Sequence, residues 1–246
     1  MNMKDVTMKG LTMWSCLALL LLSTAPNAAS AAATASRDQR PREANLAQRL
    51  SRAHFEFSLN LYGELVEGLD SSEGEGANLV YSPYSVQSVL SMLFLGTSSS
   101  SGSSRQLRSA LKYDNISYVD VHSGFRKVVE NFGDKYYERK VRGANALFVQ
   151  NGVAVSAPYE RALREFYQSR VTHMDFRDAG RAVESVNDWV DDVTGGQIPA
   201  LLDAPPSADA KLLLVNAMSM SAKWLNPFSP VDTFEKGLFF LGGNRR

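Results

Sequence analysis

The stretch that most constrains the fold is Lys211 to Pro230, KLLLVNAMSMSAKWLNPFSP. From Leu212 to Trp224 it contains neither Gly nor Pro. Period-two alternation puts Leu212, Leu214, Asn216, Met218, Met220, Ala222 and Trp224 on one face, and Leu213, Val215, Ala217, Ser219, Ser221 and Lys223 on the other. Both faces start apolar, and the second turns polar at Ser219. A strand of about 13 residues at roughly 3.3 Å each would run about 43 Å, longer than most. Such a strand implies a large sheet covered on both faces at one end. Helix is the competing assignment, weakened by the alternation. Asn216 falls on the side lined by Leu and Met. Burial there requires a hydrogen-bond partner from elsewhere in the chain.

Charge excludes some functions. Lys plus Arg equals Asp plus Glu, 26 each, so the net charge is zero. Nothing in that balance points to nucleic acid or an anionic membrane surface. The N-terminus reads as a secretory signal over 1–31. Lys4 and Lys9 precede an apolar core from Leu11 to Leu22, and a small-residue tail from Ser23 to Ala35 follows. Cleavage after Ala31 fits the Ala-x-Ala pattern of Ala29 and Ala31; a retained anchor is the alternative. The single cysteine, Cys16, lies inside that signal. The mature chain is therefore expected to rely on a core rather than disulfides. The sequon Asn115-Ile116-Ser117 is an expected glycan site on a surface turn.

A polar lead-in over 32–44 precedes a helix expected at roughly 45–69. Leu46, Leu50, Ala53, Phe57, Leu61 and Leu65 form its stripe, widened by Phe55, Leu59 and Tyr62. Asn78 to Ser82 reads as a short strand. Ser82 then caps a helix that opens on Pro83 and buries Val86, Val89, Leu90, Leu93 and Phe94. Ser103-Ser104-Arg105-Gln106 reads as a capping box. Helices are expected at 118–132, 157–169 and 180–193, and strands at 141–149 and 171–176. The pattern predicts a mixed α+β domain around one big sheet.

Enzyme signatures are nearly absent: no phosphate-binding loop and no GxSxG. His54, His122 and His173 lie on separate elements, without metal spacing. They read as surface or internally satisfied residues, so no cofactor or metal is expected. An unrelated secreted hydrolase would need a serine and a histidine to meet in space. Small polar residues inside apolar elements do stand out: Ser82, Ser85 and Asn216. On composition alone they are caps and a buried amide.

Several segments together resemble the serpin family. Asn78-Leu79-Val80-Tyr81-Ser82-Pro83-Tyr84-Ser85-Val86 is similar to the start of that family's second helix. Leu93-Phe94-Leu95-Gly96 and Ala144-Asn145-Ala146-Leu147-Phe148-Val149 follow in family order. So do Val186-Asn187-Asp188-Trp189-Val190 with Thr194-x-Gly196-x-Ile198. Leu212-Leu213-Leu214-Val215-Asn216-Ala217, with Trp224 and Asn226-Pro227-Phe228, completes the series. The resemblance runs from about 46 to 241 and implies a serpin-like α+β fold over 45–246, helices packed on a large mixed sheet.

It also implies a mechanism. An extracellular serine protease cleaves an exposed loop, which inserts into the sheet as a new strand. Ser82, Ser85 and Asn216 would form the shutter, the polar cluster under the point where the sheet opens. Trp224 would mark the breach, where insertion begins. The run Met218 to Lys223 departs from the bulky, basic, Gly-containing run usual there. The chain stops at Arg246, so the reactive loop, the neighbouring strands and the histidine that completes the shutter are expected beyond it. A chain of this extent is expected to be non-inhibitory as given. A non-inhibitory binding or carrier protein on the same fold is the alternative. No nucleic-acid partner is expected, and no membrane association after signal cleavage.

Overall fold

The computed structural model describes residues 39–72, 79–132, 141–221 and 224–232. The signal at 1–31, the start of the lead-in, Asn78 and Asn244 to Arg246 lie outside the described residues. Helix α1 (Gln39–Ser72) comes first. Helices α2 (Pro83–Leu95), α3 (Gly102–Ala110) and α4 (Tyr118–Phe132) follow. Strand β1 (Val141–Gln150), helix α5 (Ala157–Tyr167) and strand β2 (Arg170–Met174) come next. Helix α6 (Ala179–Thr194) and strand β3 (Leu212–Met220) complete the order, with a 3₁₀ turn at Pro230–Asp232.

The three strands form one mixed sheet in the order β2-β1-β3. β1 runs parallel to β2 and antiparallel to β3, with Asn145 opposite Asn216. Alternation along each strand feeds two separate cores. Leu147 and Val149 of β1, with Leu214 and Met218 of β3, pack against α1, α2, α4 and α5 around Met92, Phe94, Leu111 and Val121. Ala146 and Phe148, with Leu213, Val215 and Ala217, pack under α6 against Ala182, Val186 and Val190. Trp189 meets Phe148 edge-on, 6.1 Å between ring centroids. Burying each of these aliphatic or aromatic side chains stabilises the fold by roughly 1.5–3 kcal/mol. The sheet is thus covered on both faces, as the double apolar start of β3 predicts.

Local chemistry sets the helix ends. Ser82 has extended backbone, φ −120°, and its Oγ accepts the Ser85 amide N–H at 3.3 Å. α6 closes on Gly195, left-handed at φ 62°. The Arg142 guanidinium lies where a Gly195 Cβ would stand, so glycine is required there twice over.

The structure corrects several expectations. Residues 79–82 form no strand; they are extended chain running into the cap. α3 is capped by Ser101, two residues before the expected cap Ser103, because Ser101 Oγ accepts the Ser104 amide at 3.0 Å, and the helix begins at Gly102. Phe55, Leu59 and Tyr62 on α1 are exposed rather than inward. On α2 the fully buried side is not the aliphatic stripe. Gln87, Ser88 and Ser91 are buried, while Leu93 is exposed. Each buried polar residue has a partner: Gln87 with His54 at 2.6 Å, Ser88 with Asn145 at 3.0 Å, Ser91 with Tyr113 at 2.7 Å. Of the expected stripe Phe94 is fully buried, while Val86, Val89 and Leu90 face a cavity beside β3. β3 is assigned over Leu212–Met220, shorter than the expected run to Trp224, and its pairing with β1 is described as far as Val141↔Met220.

Candidate functional site

Two hydrogen-bonded sets meet near the middle of β3. The first is at the head of α2, where the Ser82 and Ser85 hydroxyls lie 2.9 Å apart. The second centres on Asn145. Its Oδ1 accepts from Ser88 Oγ at 3.0 Å and from Asn216 Nδ2 at 3.0 Å. Its Nδ2 donates to the Tyr167 carbonyl at 3.1 Å. One side chain of β1 thereby ties α2, the end of α5 and β3 together. Asn216 Oδ1 is buried and has no hydrogen-bond partner among the described residues.

Ser82, Ser85 and Asn216 line a common cavity of about 520 Å³. It wraps the edge of β3 that faces away from β1. Val86, Val89 and Leu90 of α2 bound it on one face of the sheet. Val190 of α6, with Ile198, Leu201 and Leu202 of the α6–β3 connection, bounds it on the other. Among the described residues β3 pairs only with β1, so its far edge presents unpaired backbone N–H and C=O groups between two apolar walls. Such an edge is a template for another strand.

The two serines and the asparagine singled out by sequence therefore line one cavity, though among the described residues no direct hydrogen bond joins the serine pair to Asn216. Trp224 lies elsewhere, four residues past the end of β3 and 74% exposed. Asn115 occupies an exposed turn before α4, its backbone carbonyl accepting from the Arg49 guanidinium. Asn145 and Ser88 were not singled out by sequence as site residues. Asn145 carries the same signal as Asn216, an amide inside an apolar strand, and the same reasoning applied to β1 identifies it.

Two histidines sit in the first core and take no part in this cluster. His122 Nδ1 is 2.7 Å from the Tyr167 hydroxyl, and burial pushes its pKa down to about 3. Burial also lowers His54, partly offset by its bond to Gln87. Among the described residues no group of three or more His, Cys, Asp or Glu is placed to hold a metal ion, and no helix is long and apolar enough to cross a membrane.

The described residues thus form an α+β fold with a mixed sheet covered on both faces and an apolar-walled cavity along the outer side of β3. Residues 52–246 match the family model described as Serpin (serine protease inhibitor). The chain belongs to the serpin family. It is 29% identical over 197 residues to serine protease inhibitor A6 of Xenopus laevis, covering 79% of this chain and 44% of that protein. It is 30% identical over 196 residues to corticosteroid-binding globulin of Oryctolagus cuniculus, covering 77% of this chain and 48% of that protein. The chain thus spans less than half the length of these two relatives. Cleaved kallistatin complexed with heparin matches at TM-score 0.66 with 27% identity, over 76% of this chain and 53% of that one. Mouse protein-Z dependent protease inhibitor matches at TM-score 0.67 with 22% identity, over 76% and 48% respectively, which speaks to the fold alone.

Proposed function

We propose that this chain supplies the strand-accepting part of a secreted inhibitor of extracellular serine proteases, and is not itself an enzyme. The observation that carries the reading is the free edge of β3, held between two apolar walls above a hydrogen-bonded cluster. A protease-cleaved loop adding to that edge would satisfy its backbone groups and fill the walls. Ser82, Ser85 and Asn216 act as the shutter in this reading, and the unpartnered Asn216 Oδ1 is the acceptor an arriving segment completes. Trp224 marks the breach, and its exposure fits a surface that other parts of the fold cover. Asn115 carries a glycan, consistent with its exposed turn. The bait loop is assigned to none of the described residues, and in this reading they do not inhibit by themselves.

The test has two arms. A Lys-flanked peptide of alternating Thr and Val, about as long as the 9-residue β3, is added to the 246-residue chain. Slower amide exchange confined to β3 is expected; unchanged exchange along β3 at saturating peptide overturns the edge reading. The same chain mixed with trypsin-like, chymotrypsin-like and elastase-like proteases is expected to give no SDS-stable complex. A covalent complex would show that residues 1–246 already hold a bait.

The apolar lining of the cavity favours one second reading, a non-inhibitory carrier of a small apolar ligand. A steroid that competes with the strand peptide for the chain would support it.

A further inference from the structure

The wall of the cavity on the α6 side is not a secondary-structure element. It belongs to the connection between Thr194 and Leu212, which forms no helix or strand. An irregular segment of that length holds its shape only where its backbone groups find partners. At Leu201 and Leu202 one side chain supplies them. Asn187, half-buried on α6, accepts the amide N–H groups of both Leu201 and Leu202 through Oδ1, each at 2.8 Å. Its Nδ2 donates to the Leu202 carbonyl at 3.0 Å. A second tie lies at the end of α6. Thr194 Oγ1 accepts the Ile198 amide at 3.1 Å and donates to the Val190 carbonyl at 2.7 Å.

The three residues held this way are the ones the connection presents to the cavity, beside Val190 and against Leu213 and Val215 of β3. We infer that Asn187 is a positioning residue for strand uptake: its side-chain amide fixes Leu201 and Leu202 as a preformed apolar wall for side chains of a strand added to β3. This rests on the reading of the β3 edge as a strand acceptor. The cavity is open beside the edge, so the clamp holds a receiving surface in place rather than a lid across it. Preorganisation of that kind raises affinity by removing the ordering cost from the binding step, and its loss appears mainly as faster release. Asn187 touches no incoming strand itself. Its effect passes through the two leucines.

Two variants and two readouts separate this from a general loss of stability. Asn187→Asp keeps an oxygen able to accept both N–H groups, loses the donation to the Leu202 carbonyl and sets a second acceptor oxygen beside that carbonyl. Asn187→Ala loses all three bonds. In the 246-residue chain, Asn187→Ala is expected to deprotect the Leu201 and Leu202 amides while the Ile198 amide stays protected. It should also weaken binding of the strand peptide about tenfold, chiefly through dissociation. Asn187→Asp should keep both amides protected and bind within about twofold of wild type. Thr194→Val serves if Asn187→Ala does not fold: it should deprotect Ile198, leave Leu201 and Leu202 protected, and weaken binding in the same direction. Protected Leu201 and Leu202 amides in Asn187→Ala overturn the clamp. Deprotected amides with unchanged peptide affinity overturn its role in uptake. A wild-type chain that takes no peptide overturns the edge reading itself, and the uptake role with it. Amide exchange then decides the clamp alone.

Discussion

At the scale of single residues, Asn145 outweighs the three positions that its sequence neighbourhood made conspicuous. It is 4% exposed, and its amide serves three groups on three other elements. Removing such a hub costs more than the bonds themselves, because each former partner is left buried without a substitute. Asn145→Leu is expected to destabilise the chain by about 2–4 kcal/mol in urea unfolding. Ser85→Ala removes one part-buried hydroxyl beside the cap and should cost about 0.5–1 kcal/mol. The Asn145 and Asn216 substitutions share a bond and should be non-additive by about 1 kcal/mol in a double-mutant cycle. Additive effects, or an Asn145→Leu variant as stable as wild type, would remove Asn145 from the centre of the cluster. Sequence reasoning reached Asn216 and passed over Asn145 for a physical reason. β3 is a long apolar run in which one amide is conspicuous. β1 has Arg142 and Gly143 directly after its first residue, and Asn145 sits close to that interruption of its apolar run.

At the scale of elements, period and punctuation in the sequence carried most of the fold. The capping serine and proline of α2, the stripe of α6 and the alternation of β3 each appear where they were expected. The misreadings share a cause, which is that an element's limits depend on partners the local pattern does not contain. Residues 79–82 read locally as a strand, yet they form neither strand nor helix and lead directly into the Ser82 cap. The aliphatic side of α2 faces the cavity at the sheet edge, while its polar side is buried because Gln87, Ser88 and Ser91 find partners on α1, β1 and the segment after α3. The end of α6 tests this tertiary control. Gly195→Ala forces a Cβ into the left-handed region and onto the Arg142 guanidinium. A loss of about 1–3 kcal/mol is expected, from the backbone conformation and the overlap together. Adding Arg142→Ala to it should recover the overlap and leave about 1 kcal/mol for the backbone. No recovery in the double variant would show that the arginine moves aside without cost.

At the scale of the whole molecule, the neutral charge balance and the buried histidines together set the acid response. With 26 basic and 26 acidic residues, no large net charge opposes folding near neutral pH. His122 is enclosed by the rings of Phe94, Tyr118, Phe166 and Tyr167, with centroids 4.5–5.9 Å away. Its folded pKa of about 3 lies below the ordinary value of 6.5, so the native chain keeps it neutral while the unfolded chain protonates it. Its contribution is therefore full above about pH 6.5 and is lost progressively as pH falls toward 3. His54, lowered in the same direction, adds to that loss. Among the described residues exposed Asp175 is a carboxylate held below its ordinary range, first by its bond to Gln150, and it acts only at the acid end. The window between about pH 6 and 4 thus belongs to the histidines. Unfolding there should take up between one and two protons, giving a slope of about 1.4–2.7 kcal/mol per pH unit. His122→Phe keeps an aromatic ring in the box and removes one hydrogen-bond partner of the Tyr167 hydroxyl, so it should be less stable at pH 7 yet shallower in acid by about 1.4 kcal/mol per pH unit. Urea midpoints measured across that window decide it: a His122→Phe slope equal to wild type means that His122 already takes up its proton in the folded chain.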